Sequence, residues 1–309
     1  MKVFSKIADL TEAYPKLVIA LGAFDGVHVG HQSIIHQAME LAASIGGHSM
    51  VFTFSNHPLS VIAPQQMPAQ IGDNLSREQI LAALGVDVLV SVPFTKELAR
   101  ISPEEFLALL RDNFAPRYVV VGPNYTFGYR GKGTQRLLQR LAGEYGFQAE
   151  ICPAVLEDGR PVSSTRIREL IKEGELIKVN AFLGRPFTFS GRVMHGDRRG
   201  RKLGFPTANL AIGEQRAMLP NGVYAVRVLY RGSFYYGIAN IGTNPTFAGC
   251  TRRLEVNIFD FAGDLYDQPL QVEFWERLRN EQKFSSSEYL VRQLHKDMKA
   301  AHEIFNLQG

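Results

Sequence analysis

From Leu17 to Val121 the chain alternates short, almost wholly apolar runs with longer stretches in which apolar residues recur every three or four positions. Leu17–Leu21, Ser49–Phe54, Val86–Val90 and Tyr118–Val121 are short and rich in β-branched or aromatic residues, so they read as strands buried on both faces. His31–Ile45, Arg77–Leu84, Pro103–Asn113 and Thr134–Tyr145 carry the helical period. Strands alternating with helices predict a parallel sheet wound on both faces. Ligands in such sheets bind beyond the carboxyl ends of the strands, which directs attention to the residues just after Leu21, Phe54 and Val121. A helix is expected from Ser164 or Thr165, with Ile167, Leu170 and Ile171 on one face. A further helical stretch carries Leu176, Val179 and Leu183, and Gly184-Arg185-Pro186 stops it.

Beyond that stop the pattern changes. Phe187–Val193, Val223–Tyr230, Phe234–Ile241, Arg253–Phe261 and Leu270–Trp275 read as strands separated by Gly, Asn, Asp and Pro turns, the texture of an antiparallel barrel or sandwich. A closing helix is expected from about Ser286. Ser285 and Glu288 have capping-box spacing there, and Leu290, Leu294 and Met298 form an apolar stripe. The division predicts domains at 1–184 and 185–309, and the length of 309 residues suits two cores.

Composition narrows the class. The chain is 45% hydrophobic and 21% charged, as in ordinary globular proteins. No apolar run approaches the ~20 residues of a membrane helix, and the first residues lack the apolar core of a signal peptide. Two cysteines, Cys152 and Cys250, are too few for a disulfide framework and lack metal-ligand spacing. The expectation is a cytoplasmic protein with no membrane partner. The net charge of +4 suits anionic small molecules as well as nucleic acid.

Candidate chemistry clusters where the sheet pattern predicts it. After the first strand comes Gly22-Ala23-Phe24-Asp25-Gly26-Val27-His28-Val29-Gly30-His31. The glycines permit a tight turn and close approach of a ligand. His28 and His31 share a face one helical turn apart, Gly30 leaves room between them, and the free N–H groups of a helix start favour a phosphate. Paired imidazoles could stabilise charge developing on a nucleotide phosphate, although metal ligation and plain surface positions also fit an H-x-x-H pair. The whole string resembles the signature of nucleotidyltransferases that pass AMP or CMP to a phosphate acceptor. Gly22 and Phe24 are carried with Gly30 as nucleotide-side positions.

Ser163-Ser164-Thr165-Arg166-Ile167-Arg168 opens a helix with hydroxyls and arginines, either an anion cradle or an ordinary cap. After Val121, Asn124 could contact nucleotide, and aromatics including Phe127 could face a flat ring or simply pack. His57, after Phe54, is another candidate for lining the site. In the second half, Gly191–Asn209 is a glycine-rich basic segment without Walker spacing. Its backbone and charges, Gly200 and Lys202 among them, could wrap phosphates. Thr207 and Asn209, two apart and so on one face, offer oxygen ligands to Mg²⁺. Phosphoryl transfer to an alcohol also wants a carboxylate to take its proton. Glu255 is the choice, against the plainer reading of a solvated strand face.

The order G-x-F-D-G-V-H-x-G-H, S-S-T-R-I-R, L-G-F-P-T-A-N and L-E-V-N-I-F-D-F resembles the bacterial bifunctional riboflavin kinase/FMN adenylyltransferase family over nearly the whole chain, with G-I-A-N-I-G-T-N-P-T-F and L-R-N-E-Q-K-F alongside. The resemblance implies a Rossmann-like α/β nucleotidyltransferase domain followed by an antiparallel six-stranded β-barrel with a C-terminal helix. It implies ATP, riboflavin and FMN as substrates, FAD as product and Mg²⁺ as the metal, with no nucleic-acid partner and self-association left open. His28 and His31 would contact ATP phosphates, and Asn124 would lie in the FMN/ATP site. Ser164, Thr165 and Arg168 would close over pyrophosphate. Thr207 and Asn209 match the magnesium and phosphate positions, and Glu255 the base for the ribityl 5′-hydroxyl. Ala23 and Arg198 depart from the residues frequent in the family, Asn and Gly. An alternative keeps FMN adenylyltransferase activity alone, with a non-catalytic flavin-binding barrel. A nucleic-acid-binding barrel, resting on Arg198–Lys202, is the weakest alternative.

Overall fold

The apolar run Leu17–Leu21 (β2) is buried at every position and lies inside a parallel sheet. Its companions are Lys2–Phe4 (β1), His48–Phe54 (β3), Val88–Val92 (β4), Tyr118–Val121 (β5) and, after two short hairpin strands, Thr126–Phe127 (β6) and Gly133–Thr134 (β7), Gln148–Ile151 (β8). The computed structural model describes residues 1–195, 204–246 and 249–307, with backbone alone at 244–246 and 249–251. Strand order is β1-β4-β3-β2-β5-β8, and every pair is parallel. From β2 the chain proceeds outward through β3 to β4, then returns to the other side with β5 and β8. The topological switch therefore lies between β2 and β5, where open α/β sheets hold their ligands. β1 and β8 escape the apolar-run criterion because each is an edge strand, short and covered less completely.

Helices Val29–Ser44 (α1), Leu59–Ile62 (α2), Asn74–Leu84 (α3), Pro103–Phe114 (α4) and Gln135–Leu141 (α5) accompany this sheet. One core layer includes Leu17, Ile19, Met50, Phe52, Phe106 and Leu110. The other includes Val18, Ala20, Phe24, Val27, Ile34 and Ile35. Alternate residues of β2 thus feed opposite layers, as strand geometry requires. A short hairpin, Leu156–Glu157 (β9) with Arg160–Pro161 (β10), leads into Ser164–Glu173 (α6).

The barrel is closed and antiparallel throughout, in the order β11-β12-β15-β14-β13-β16. These strands are Phe187–Met194 (β11), Ala208–Ala211 (β12), Gly222–Tyr230 (β13), Ser233–Thr246 (β14), Gly249–Ile258 (β15) and Pro269–Asn280 (β16). Leu270, Val272 and Phe274 are buried with period two, so closure leaves β16 with an apolar inner row. Ser287–Ile304 (α8) packs Leu294 and Met298 on Val223, Ala225, Ile238 and Phe259. Its cap is Ser286, whose hydroxyl accepts from Tyr289 N, rather than the expected Ser285.

By contacts the chain divides into Met1–Pro68 with Asp73–Ser164, and Ala69–Gly72 with Thr165–Gly309. The sequence pattern placed a border twenty residues later, at the Gly184 stop, where Gly184 does cap Leu176–Leu183 (α7) in the left-handed conformation. The difference has a physical basis. Asn180 of α7 donates to Phe274 O of β16 and accepts from Phe187 N of β11, which fastens this helix to the barrel.

Candidate functional site

In the first unit, β2 ends in a loop of unusual backbone. Phe24, Gly26 and Val27 have φ values of 48°, 75° and 38°, in the left-handed region that bulky and β-branched residues avoid. Such strain costs on the order of 1–3 kcal/mol per residue and persists only where surroundings enforce it. Here Phe24 and Val27 are fully buried in the core. Gln32 Nε2 donates to Val27 O, and Thr53 Oγ1 and Arg77 Nη1 both donate to Ala23 O. Ser164 Oγ donates to Asp25 O at 3.3 Å, so the second hydroxyl of the S-S-T-R-I-R segment is tied to this same loop.

The loop delivers His28 as the cap of α1. Its Nδ1 accepts from His31 N at 3.2 Å, and the two imidazoles stack with centroids 3.6 Å apart. With Nδ1 accepting, the proton of the neutral His28 ring resides on Nε2, the tautomer that can donate outward to an oxyanion. Phe24 meets the His31 ring edge-on at 5.2 Å. One expectation, a nucleotide contact by the Phe24 ring, is revised by this packing. Phe24 is buried beneath the histidines, so its ring cannot touch a nucleotide. Gly22 is required because a Cβ would stand 2.9 Å from the Phe24 ring. Gly30 makes room for His28, whose ring a Cβ would approach to 3.2 Å.

His57 follows the carboxyl end of β3 and accepts from Leu59 N through Nδ1. Asn124 is exposed in the turn closed by Tyr125 N to Gly122 O, after β5 on the other side of the switch point. Phe127 departs from the expected flavin contact: it is buried among the core aromatics, 5.5 Å from Phe106 and 5.9 Å from Tyr125. Burial also pushes the Tyr125 phenol far above its ordinary range. In the second unit Thr165 is exposed in the first turn of α6, and Arg168 Nε donates to Ala69 O at 2.6 Å. Arg77 and Thr53 carry no signal in the sequence, where Arg77 reads as one more polar position on a helix start.

In the barrel, antiparallel register sets Asn209 of β12 directly opposite Glu255 of β15, and Glu255 directly opposite Asn240 of β14. Asn209 is buried and its Nδ2 donates to Thr207 O at 3.4 Å. Asn257 Nδ2 holds the preceding turn by donating to Pro206 O at 2.8 Å. Thr207 and Asn209 line a cavity of about 580 Å³ with Val193, Ile258, Phe261 and Tyr266. Tyr266 in turn stacks on His195, with ring centroids 4.1 Å apart. Gly200 and Lys202 lie outside the described residues, as does the rest of Arg198–Lys202.

The donor set suits magnesium. A hydroxyl and an amide whose nitrogen is already engaged present oxygen, the ligand type of a hard cation that keeps substrate phosphates in its shell. Among the described residues, no group of three or more His, Cys, Asp or Glu could hold a metal by protein ligands alone.

An imidazole pair at the switch point of a doubly wound sheet, followed by a barrel whose paired strands bring amide and carboxylate together, defines a two-domain transferase acting on phosphates. The FAD synthetase family model matches residues 10–166 and the riboflavin kinase model matches 183–305. The chain belongs to the bifunctional riboflavin kinase/FMN adenylyltransferase family. It is 37% identical to the bifunctional riboflavin kinase/FMN adenylyltransferase of Escherichia coli K12 over 310 residues, covering 99% of each chain. The Bacillus subtilis enzyme of the same name is 34% identical over 305 residues, covering 96% of this chain and 95% of the relative. A crystal structure described as a macrolide-efflux protein from Streptococcus pneumoniae superposes with a TM-score of 0.87 at 33% identity, covering 97% and 98% of the two chains. Among the described residues of the present chain, no helix is long and apolar enough to cross a membrane.

Proposed function

We propose that the domains 1–184 and 185–309 each carry one of the two reactions of the family, with His28 and His31 serving adenylylation and Glu255 serving phosphorylation. The functional border is taken at 184/185 and the setting as the cytoplasm. The observation that carries the reading is the stacked, capped imidazole pair beyond β2 at the sheet's switch point.

In adenylylation a phosphate oxygen of FMN attacks the α-phosphorus of ATP, and pyrophosphate leaves. The Nε2 proton of His28 and the His31 ring stabilise the charge gathered on the phosphate oxygens, with no covalent intermediate. Asn124 and His57 orient the substrates, and Ser164, Thr165 and Arg168 hold the departing pyrophosphate. In phosphorylation the ribityl 5′-hydroxyl of riboflavin attacks the γ-phosphorus of ATP, Glu255 takes the hydroxyl proton, and ADP leaves. Thr207 and Asn209 would hold Mg²⁺, which neutralises phosphate charge when bound. Gly200 and Lys202 complete the phosphate side of that site.

The test incubates native protein and two variants with riboflavin and MgATP, and resolves the flavins by chromatography. His28→Ala should lower FAD formation by on the order of 10²–10³ while FMN still accumulates. Glu255→Gln should lower FMN formation by about 10²–10⁴ while added FMN is still converted to FAD. Loss of both reactions in either folded variant would overturn the assignment of one site to each domain. Native protein that forms no FMN would leave adenylylation as its sole activity.

A further inference from the structure

Arg77, on the first turn of α3, lies outside every motif that marks the family resemblance, yet it is joined to three neighbouring strands at their carboxyl ends. Its Nη1 donates to Ala23 O, just past β2, at 3.2 Å. Its Nη2 donates to Phe54 O at the end of β3 at 2.9 Å, and to Ser91 Oγ in β4 at 3.3 Å. A further bond, Nη2 to Asn74 Oδ1 at 2.9 Å, fixes the guanidinium on its own helix. The Nε atom is shut off from solvent. Burial lowers the Arg77 pKa, against the pull of nearby Asp25, Glu78 and Asp73. A cation held there against desolvation, half-buried under the strand ends, needs a reason.

The acceptors supply it. Ala23 precedes Phe24 and opens the left-handed loop that ends in His28. Its carbonyl takes two hydrogen bonds, one from Thr53 in β3 and one from Arg77. A planar guanidinium can meet acceptors fanned across several strands, whereas an ammonium acts as a single point. We propose that Arg77 is a positioning residue for adenylylation, clamping the His28/His31 loop to the carboxyl ends of β2, β3 and β4. The inference rests on the reading that this histidine pair serves FAD formation. Its consequence is selective: the clamp sets the placement of the imidazoles relative to the reacting phosphates, so loosening it lowers turnover more than substrate affinity.

The experiment measures kcat and KM for FAD formation from FMN and ATP in Arg77→Met, Arg77→Lys and His28→Ala, with thermal unfolding of each variant followed in parallel. Arg77→Met should lose about 100-fold in kcat with KM for either substrate changed less than about threefold. Arg77→Lys should recover part of that loss, remaining about tenfold below native because it cannot span all the acceptors. Formation of FMN from riboflavin should stay native in both. Native kcat in either folded variant, or a loss expressed in KM alone, would overturn the proposal. If Arg77→Met does not fold, Arg77→Lys decides the matter by the same criterion. His28→Ala separates the two levels. Full FAD formation in that variant removes the histidine reading itself, whereas its loss beside active Arg77 variants removes only the clamp.

Discussion

The imidazole pair of the sheet unit comes from one contiguous stretch of chain, Gly22 to His31, bent through three left-handed residues and fastened from beneath by β3, α3 and Ser164. The barrel reaches a similar closeness of groups by other means. Asn209 and Glu255 belong to strands distant in sequence and meet because β12 and β15 pair in one particular register. The first site therefore depends on local strain restrained by the core, and the second on the ladder of a closed sheet. Damage should follow that difference. Short-range crowding should disturb adenylylation, and ladder defects should disturb phosphorylation.

The largest contrast is expected at Gly237 in β14. A Cβ there would stand 2.2 Å from Asn257 O across the β14–β15 ladder, a distance that forces the strands apart. Gly237→Ala should abolish FMN formation while FAD is still made from supplied FMN. Normal FMN formation in this variant would show that the register is not what holds the barrel site.

A smaller effect, on stability, is expected at Asp297 of α8. Its carboxylate is buried, accepts from Arg279 Nε and Nη2, and accepts from Gln293 Nε2 at 2.8 Å. Asp297→Ala strands the Arg279 charge and should cost the barrel about 3 kcal/mol in denaturant unfolding. A loss under about 1 kcal/mol would mean that helix packing alone holds α8 to the barrel. The mildest effect is expected at Gly30, where a Cβ would press on the His28 ring at 3.2 Å. Gly30→Ala should lower the kcat of FAD formation about tenfold and leave FMN formation unchanged. An equal fall in both rates would break the proposed separation of the sites.

Much of this architecture is visible in the hydrophobic pattern. β2 and β5 occupy the expected residues, and β3, α4 and α7 begin or end within a residue or two of expectation. β1 and β8 do not show because edge strands need less apolar sequence. The short strand Ala208–Ala211 reads only as extended chain, since barrel pairing rather than propensity makes it a strand. At the site, His28 and His31 stand out because glycine and histidine have few reasons to recur so closely after an apolar strand. Phe24 and Phe127 mislead for the converse reason. An aromatic residue beside a motif looks the same in sequence whether it faces ligand or core, and both face the core.

Period and punctuation dictated the class of each half, a wound parallel sheet and then an antiparallel barrel, because burial of one face or both leaves a repeat that any short window displays. Three-dimensional packing alone chose that Glu255 would face Asn209 and that Arg77 would reach three strands. Those outcomes depend on strand register, left-handed backbone and side-chain direction, each held by contacts between residues far apart in the chain. No local stretch of amino acids contains both partners of such a contact.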